Sequence, residues 1–188
     1  MQSGSGVNDK SFKHFLYEQA LLYKEILKIN DEDLKRVKEA EELIKAHRDE
    51  VSKEVSKALL SNDRFREAIT SIVPEEALPR YISMVIDLIF DFESSLKAIL
   101  RSGATHLKLG TPLWIIMPSV GLILIEYQKR ISQRDLFTSF NKMIWWVMAT
   151  LANAYHESTI EGLSISKGVS KDLLKKLVKI ELKKTLRT

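Results

Sequence analysis

The chain has 188 residues, of which 7 are Gly, 4 are Pro and none is Cys. The lack of Cys excludes disulfides, cysteine zinc sites and thiol nucleophiles, and the absence of Gly between Val7 and Ser102 leaves too few turn residues for a β-sandwich, a barrel or a doubly wound α/β fold. The net charge is +4, but the segment from Lys167 to Arg187 carries +6, so the rest carries −2 and gives no reason to expect nucleic acid. We therefore predict one all-α domain in a cytoplasmic protein.

Hydrophobic periodicity predicts helices in the first third of the chain. The first helix is expected from about Asp9 to Leu27. Asn30 is predicted to cap the next helix, because Asp33 stands three residues further on and acids fill the first turn. A long polar helix follows, and we expect it to bend near His47 and to end at the corner Ser61-Asn62-Asp63.

The middle of the chain is predicted to form shorter helices. One begins at Pro74, and another, from Phe92 to Leu100, is expected to be broken by Gly103. The most apolar stretch, Leu113 to Ile125, falls short of the roughly 20 apolar residues that a membrane span needs, so it is predicted to be a buried helix and no transmembrane segment is expected. The last large helix is predicted to start near Ser132, with Asp135 in the capping-box position.

The C-terminal segment from Val169 to Leu186 is predicted to form a basic amphipathic helix. Three interpretations stay open for it: a helix packed on the body or on a dimer partner, a linker to an output domain, or a contact with a membrane surface or nucleic acid. We favour the first, and the lack of aromatic residues in this segment argues against single-strand stacking.

His106 is the residue with the clearest chemical potential. The chain has no HExxH motif, no glycine-rich phosphate loop and no nucleophile elbow, so we expect no enzyme. His14, His47 and His156 have the character of surface or structural residues, whereas His106 lies late in a helix, just before the corner at Gly110 and an apolar helix. A neutral imidazole there is suited to be a single axial ligand of haem iron, or else a capping or core residue.

The segment from His106 to Trp114, HLKLGTPLW, resembles the proximal-histidine stretch of the globin-coupled sensor family. That stretch has a histidine, any residue, Lys or Arg, Ile or Leu, Gly, any residue and Pro, and an aromatic-rich helix follows it. Weaker similarities occur in the family's order: residues 29–35 with the beginning of helix A, residues 49–61 with helix B, and Glu126-Tyr127 and 154–157 with helices G and H. A helix before helix A is also a family feature, and the resemblance covers about residues 9–163.

The resemblance implies a globin fold with an extra N-terminal helix and a C-terminal basic amphipathic helix. The implied parts are a flexible leader at 1–8, a sensor globin domain at 9–163 and a basic tail or linker at 164–188. His106 would bind the iron of haem b, and that iron would take up oxygen, CO or NO. The chain would form a homodimer through helices G (Pro112 to Ile131) and H (Ser132 to Leu163). The dimer would signal to a downstream domain or protein. The haem would contact Leu109 and Trp114 on its proximal side and Val55, Ser56, Phe65, Ile69, Tyr81 and Val85 on its distal side.

Two departures from the family keep alternatives open. The family often has a Phe-Tyr pair in helix B, whose Tyr binds the gas, and this chain has Val55-Ser56 there. The change is consistent with weaker oxygen binding, another gas, or a haem-free regulatory or scaffold domain that acts through dimer and partner contacts. No output module follows residue 163, which indicates a single-domain sensor or part of a longer one. A nitric oxide dioxygenase would need a reductase partner, and the chain has no flavin or nicotinamide motif.

Overall fold

The computed structural model describes residues 6–90, 92–108 and 113–177, and of residues 6–13, 92–93, 104–108 and 113 it describes the backbone alone. This part of the chain is helical and has no strand, which confirms the all-α prediction. A 3-10 turn covers Glu75–Ala77, and residues 171–177 form a short helical segment. The α-helices are α1 (Gly6–Ile26), α2 (Asp31–Glu39), α3 (Glu41–Leu60), α4 (Asp63–Thr70), α5 (Leu78–Asp87), α6 (Phe92–Lys108), α7 (Leu113–Gln128) and α8 (Arg134–Lys167).

Local capping interactions set two of the helix starts. The Asn30 side chain accepts a hydrogen bond from the Asp33 amide at 2.9 Å, and the Asn30 amide donates to the Asp33 carboxylate at 3.1 Å. This reciprocal capping box confirms the start predicted for α2. Asn62 begins α4 in the same way, because its side chain accepts from the Phe65 amide at 3.0 Å.

Several predicted boundaries are wrong. α1 begins at Gly6, inside the predicted leader, and the polar region breaks at Ala40 between α2 and α3 instead of bending near His47. α6 runs unbroken through Gly103, since a glycine is tolerated in a helix where another backbone comes close. The capping box predicted at Ser132 does not form, because Gln133 is the N-cap of α8 and its side chain makes no capping hydrogen bond.

α8 is the central helix of the fold. α1, α2, α6 and α7 all lie against it, while α3 packs against α4, α5 and α7. Two buried side chains join these layers: the Trp146 indole donates to the Ala20 carbonyl of α1 at 3.0 Å, and the Tyr127 hydroxyl donates to the Ile44 carbonyl of α3 at 2.8 Å. Burial raises the pKa of Tyr127, so its hydroxyl stays a donor at all ordinary pH.

The described part of the basic tail turns back onto the end of α8. Gly168 has a φ of 60°, the left-handed conformation that glycine adopts without strain at the end of a helix. Lys175 then lies 3.2 Å from the Glu157 carboxylate, and Lys171 forms an ion pair with Glu161. Residues 171–177 are therefore joined to α8 by ion pairs, and the rest of the predicted tail helix, 178–186, lies outside the described residues. None of the described helices combines the length with the apolar character that a membrane crossing requires.

Candidate functional site

An apolar cavity of about 200 Å³ lies between α4, α5, α6, α7 and α8. Apart from Tyr81, Ser102 and Ser119, the lining residues that the structure describes are Ala, Val, Leu, Ile or Met, and none of these described residues is charged. The cavity is lined by Ile69, Ile72 and Val73 at the end of α4; by Leu78, Tyr81, Ile82, Met84, Val85 and Leu88 around α5; by Ala98, Ile99 and Ser102 of α6; by Ile115, Ile116, Ser119, Val120 and Ile123 of α7; and by Val147 and Leu151 of α8.

Helical periodicity explains which residues of α5 and α6 reach the cavity. On α5 the lining residues recur every three or four positions, which is the spacing of one helix face. On α6 the face is marked by Ile99 and Ser102, and position 106 lies seven residues after the first and four after the second. His106 therefore occupies the same helical stripe, one turn beyond Ser102. Its side chain, and the whole of Leu109, lie outside the described residues.

Three of the expected distal residues meet at this cavity. Ile69 is buried in its wall, and Tyr81 and Val85 line it from α5. Tyr81 is 47% exposed and Met84 is 55% exposed, so these two lining side chains also face solvent. α5 is thus one wall between the cavity and solvent.

Four other expected contact residues, all of them described, do not line the cavity: Val55, Ser56, Phe65 and Trp114. Val55 and Ser56 are buried on α3, and the Ser56 hydroxyl donates to the Ser52 carbonyl at 2.7 Å. Trp114 is exposed and contacts Phe65 edge-on, with 6.0 Å between the ring centroids.

The reason that α3 is kept from the cavity lies in its contact with α5. The Ser52 and Ser83 hydroxyls hydrogen-bond at 2.9 Å, and Arg48 lies 3.1 Å from both carboxylate oxygens of Asp87. Ser83 and Asp87 are α5 residues that do not line the cavity. α3 therefore packs against a different stripe of α5. The hydrogen bonds that Arg48 donates to the Asp87 carboxylate raise the pKa of Arg48, which keeps this ion pair charged.

Sequence reasoning did not identify the floor of the cavity. α7 contributes Ile115, Ser119 and Ile123, and α8 contributes Val147 and Leu151. α7 is apolar almost all around, so its sequence pattern does not indicate which face borders a cavity and which enters the core. The spacing of Ile115, Ser119 and Ile123 at four-residue intervals was the one available signal.

A second, polar cleft opens between α3 and the end of α7, and most of its charged side chains are paired with one another. Arg130 lies 3.1 Å from Glu50 and 2.7 Å from Glu126, and it joins the two helices. Hydrogen bonds from Lys129 and Arg130 lower the pKa of Glu126, so the carboxylate stays ionised and paired. We interpret this cleft as a structural ion-pair network. In the described part of the chain, no three His, Asp or Glu side chains are grouped as metal ligands.

The lining of the cavity suits the chemistry of a haem, whereas the volume of the cavity is small for one. An uncharged, apolar lining matches the faces of a porphyrin, and one histidine position lies on the lining stripe of α6. The volume of about 200 Å³ is below the 300–1,000 Å³ or so of typical ligand cavities, so a porphyrin enters only if the cavity enlarges. Comparison with protein-family models finds no match, and comparison with curated proteins finds no significant similarity.

Proposed function

We propose that this protein is a cytoplasmic, globin-type sensor domain that binds haem b through His106 and detects oxygen, CO or NO. The observation that carries the proposal is the cavity itself: its lining is uncharged, it includes Ile69, Tyr81 and Val85 of the expected distal set, and the stripe of α6 that borders it continues to position 106. The described part of the chain has eight α-helices, five of which border the cavity, and a bundle of helices around an apolar pocket is also typical of globins.

Each part of the cavity has a separate role in this proposal. A bound haem would supply reversible binding of a diatomic gas at its iron. The His106 imidazole would hold the iron, and the aliphatic side chains of α5, α7 and α8 would exclude water from it. Tyr81 offers a hydroxyl group at the solvent side, and Ser102 and Ser119 offer hydroxyl groups in the lining.

The contact between α6 and α8 offers a direct route for a signal. At Gly103, an added Cβ atom would lie 2.7 Å from the Ala154 Cβ and 3.0 Å from the Tyr155 amide nitrogen. The two backbones are thus in close contact one turn before His106. A displacement of α6 on gas binding would press on α8, because nothing compressible lies between the helices at this point.

α8 also carries a surface suited to a homodimer. Its side chains at 145, 149, 152, 156, 159 and 163 recur at alternating intervals of four and three residues, and all are exposed or half-buried. Trp145 and Leu163 end this stripe, with Ala149 and Ala152 between them. An antiparallel pair of α8 helices would set each Trp145 against Leu163 of the second copy and bring the small residues together. A downstream signalling partner would respond to the arrangement of the two α8 helices in this pair.

The absorption spectrum of hemin-reconstituted protein tests the haem assignment. We expect a Soret band that shifts when the ferrous protein is exposed to CO and to oxygen. His106→Ala should abolish or strongly shift that band, whereas His47→Ala, on α3 in the polar cleft, should leave it unchanged. A protein without a Soret band, or with a band that His106→Ala does not alter, contradicts the assignment.

The small cavity volume favours one second candidate, a haem-free regulatory or scaffold domain that acts through its dimer and partner contacts. The cavity between α5, α6 and α7 then has its working size as it stands, and no enlargement is required. Protein that stays colourless with excess hemin and still dimerises would support this candidate over the first. Protein that incorporates hemin at one equivalent would rule it out.

A further inference from the structure

We infer that the iron-free protein binds one small, uncharged apolar molecule, about the size of benzene or toluene, in the cavity between α5, α6, α7 and α8. This inference concerns the chain without a prosthetic group and does not depend on haem binding. It would make the domain a receptor for a hydrophobic compound, with the same connection from α6 to α8 as its output.

The volume sets the size of the guest. An engineered interior cavity of about 150 Å³, lined by aliphatic and aromatic side chains, binds benzene or xenon. The cavity here is about 200 Å³, which is enough for one six-membered ring with a methyl group. A fused two-ring hydrocarbon would need the lining helices to separate.

The lining sets the chemistry of the guest. A water molecule is stable in a cavity when it has two to four polar partners. Among the lining residues that the structure describes, Tyr81, Ser102 and Ser119 offer hydroxyl groups and nearly all the others are aliphatic, so water is held weakly over most of the space. An apolar guest gains dispersion contacts with side chains such as Ile99, Ile123 and Val147, which otherwise face a void on one side. A charged guest would lose its hydration without meeting an opposite charge.

The route of access is the wall formed by α5. Tyr81 and Met84 are both about half exposed while they also line the cavity, so rotation of these side chains would widen its opening. Such rotamer changes of exposed side chains are fast. A guest of one ring can therefore enter the folded protein without the larger movement that a porphyrin requires.

Methyl-resolved NMR of the iron-free, full-length protein, titrated with benzene, toluene and naphthalene, tests the inference. We expect benzene and toluene to shift the methyl signals of Ile99, Ile123 and Val85 along saturating curves, and naphthalene to bind at least tenfold more weakly. Because no iron is present, benzene binding can be observed even if the protein does not bind haem. Likewise, a lack of benzene binding would not contradict the haem proposal.

Two cavity-filling substitutions and one matched control complete the test. Ser102→Leu and Ser119→Leu add a side chain to the lining from two different helices, and each should weaken benzene binding at least tenfold. Ser94→Leu makes the same exchange on an exposed position of α6 and should leave the affinity within twofold. Should one filling variant fail to fold, the other decides. Benzene shifts that do not saturate, or that persist unchanged in the folded filling variants, would overturn the inference.

Discussion

At the scale of single residues, Asp33 is a buried carboxylate that binds side chains of another helix. It is only 2% exposed, and its carboxylate accepts hydrogen bonds from the Ser139 hydroxyl at 2.7 Å and from Lys142 at 2.8 Å. Burial acts to raise the pKa of Asp33, but the hydrogen bonds from Lys142 and Ser139 outweigh it and hold the pKa below its ordinary value of 3.8. The charged form therefore ties α2 to α8, and the tie depends on pH.

We predict that Asp33→Asn lowers the free energy of unfolding by about 2 kcal/mol at pH 7, because a buried, charge-assisted hydrogen bond to Lys142 is lost. The pKa is lowered on folding, so this contribution is complete above the unfolded pKa and is lost as the pH falls through the folded one. The difference between variant and wild type should thus shrink below about pH 4. Urea unfolding at several pH values measures it. Asp31→Asn, in the exposed first turn of the same helix, should change stability by less than about 0.5 kcal/mol.

At the scale of helices, the crossing of α6 and α8 depends on the absence of one side chain. Gly103 is buried at this crossing, where α8 comes too close for a Cβ atom. Gly162, which lies within α8, has no atom within 4 Å of the position that its Cβ would take. The two glycines therefore separate the effect of close packing from the effect of helix propensity.

We predict that Gly103→Ala lowers the free energy of unfolding by about 1–3 kcal/mol, because the new methyl group overlaps with Ala154 and pushes the helices apart. Adding Ala154→Gly should recover part of this loss, since it removes the nearest of the clashing atoms. In contrast, Gly162→Ala should raise stability by about 0.5–1 kcal/mol, as expected for alanine in an open helical position. Thermal or urea unfolding of the three variants provides the measurement. A stable Gly103→Ala protein would mean that α6 and α8 are not in close contact there.

At the scale of the whole molecule, the proposed homodimer rests on the stripe of α8 from Trp145 to Leu163. We predict that Trp145→Asp converts a dimer to a monomer, with the dissociation constant raised about 30-fold or more, because a buried Trp anchor is lost and a charge is introduced. Leu163→Asp should act in the same direction from the other end of the stripe. Sedimentation equilibrium measures the mass, and Ile26→Asp, exposed on α1, serves as the control with no effect. Wild-type protein that is monomeric at all concentrations would contradict the dimer.

The sequence by itself was sufficient for those features that arise from neighbours along the chain. Scarce Gly and the three- and four-residue apolar spacing predicted an all-α protein, and the described part of the chain is helical. Asn30 and the corner at Ser61-Asn62-Asp63 were predicted correctly, since a cap involves residues only three positions apart. The apolar stretch after Pro112 was likewise predicted as a helix, and it forms α7.

Only the tertiary structure decided the features that depend on contacts between distant helices. α6 continues through Gly103 because α8 approaches it there, and no local sequence pattern predicts that approach. Val55 and Ser56 stay outside the cavity because α3 packs on the Ser83 and Asp87 stripe of α5. Which face of the apolar α7 borders the cavity was also settled by packing. Local sequence specifies whether a segment is helical, whereas the burial of its faces depends on every helix that packs against it.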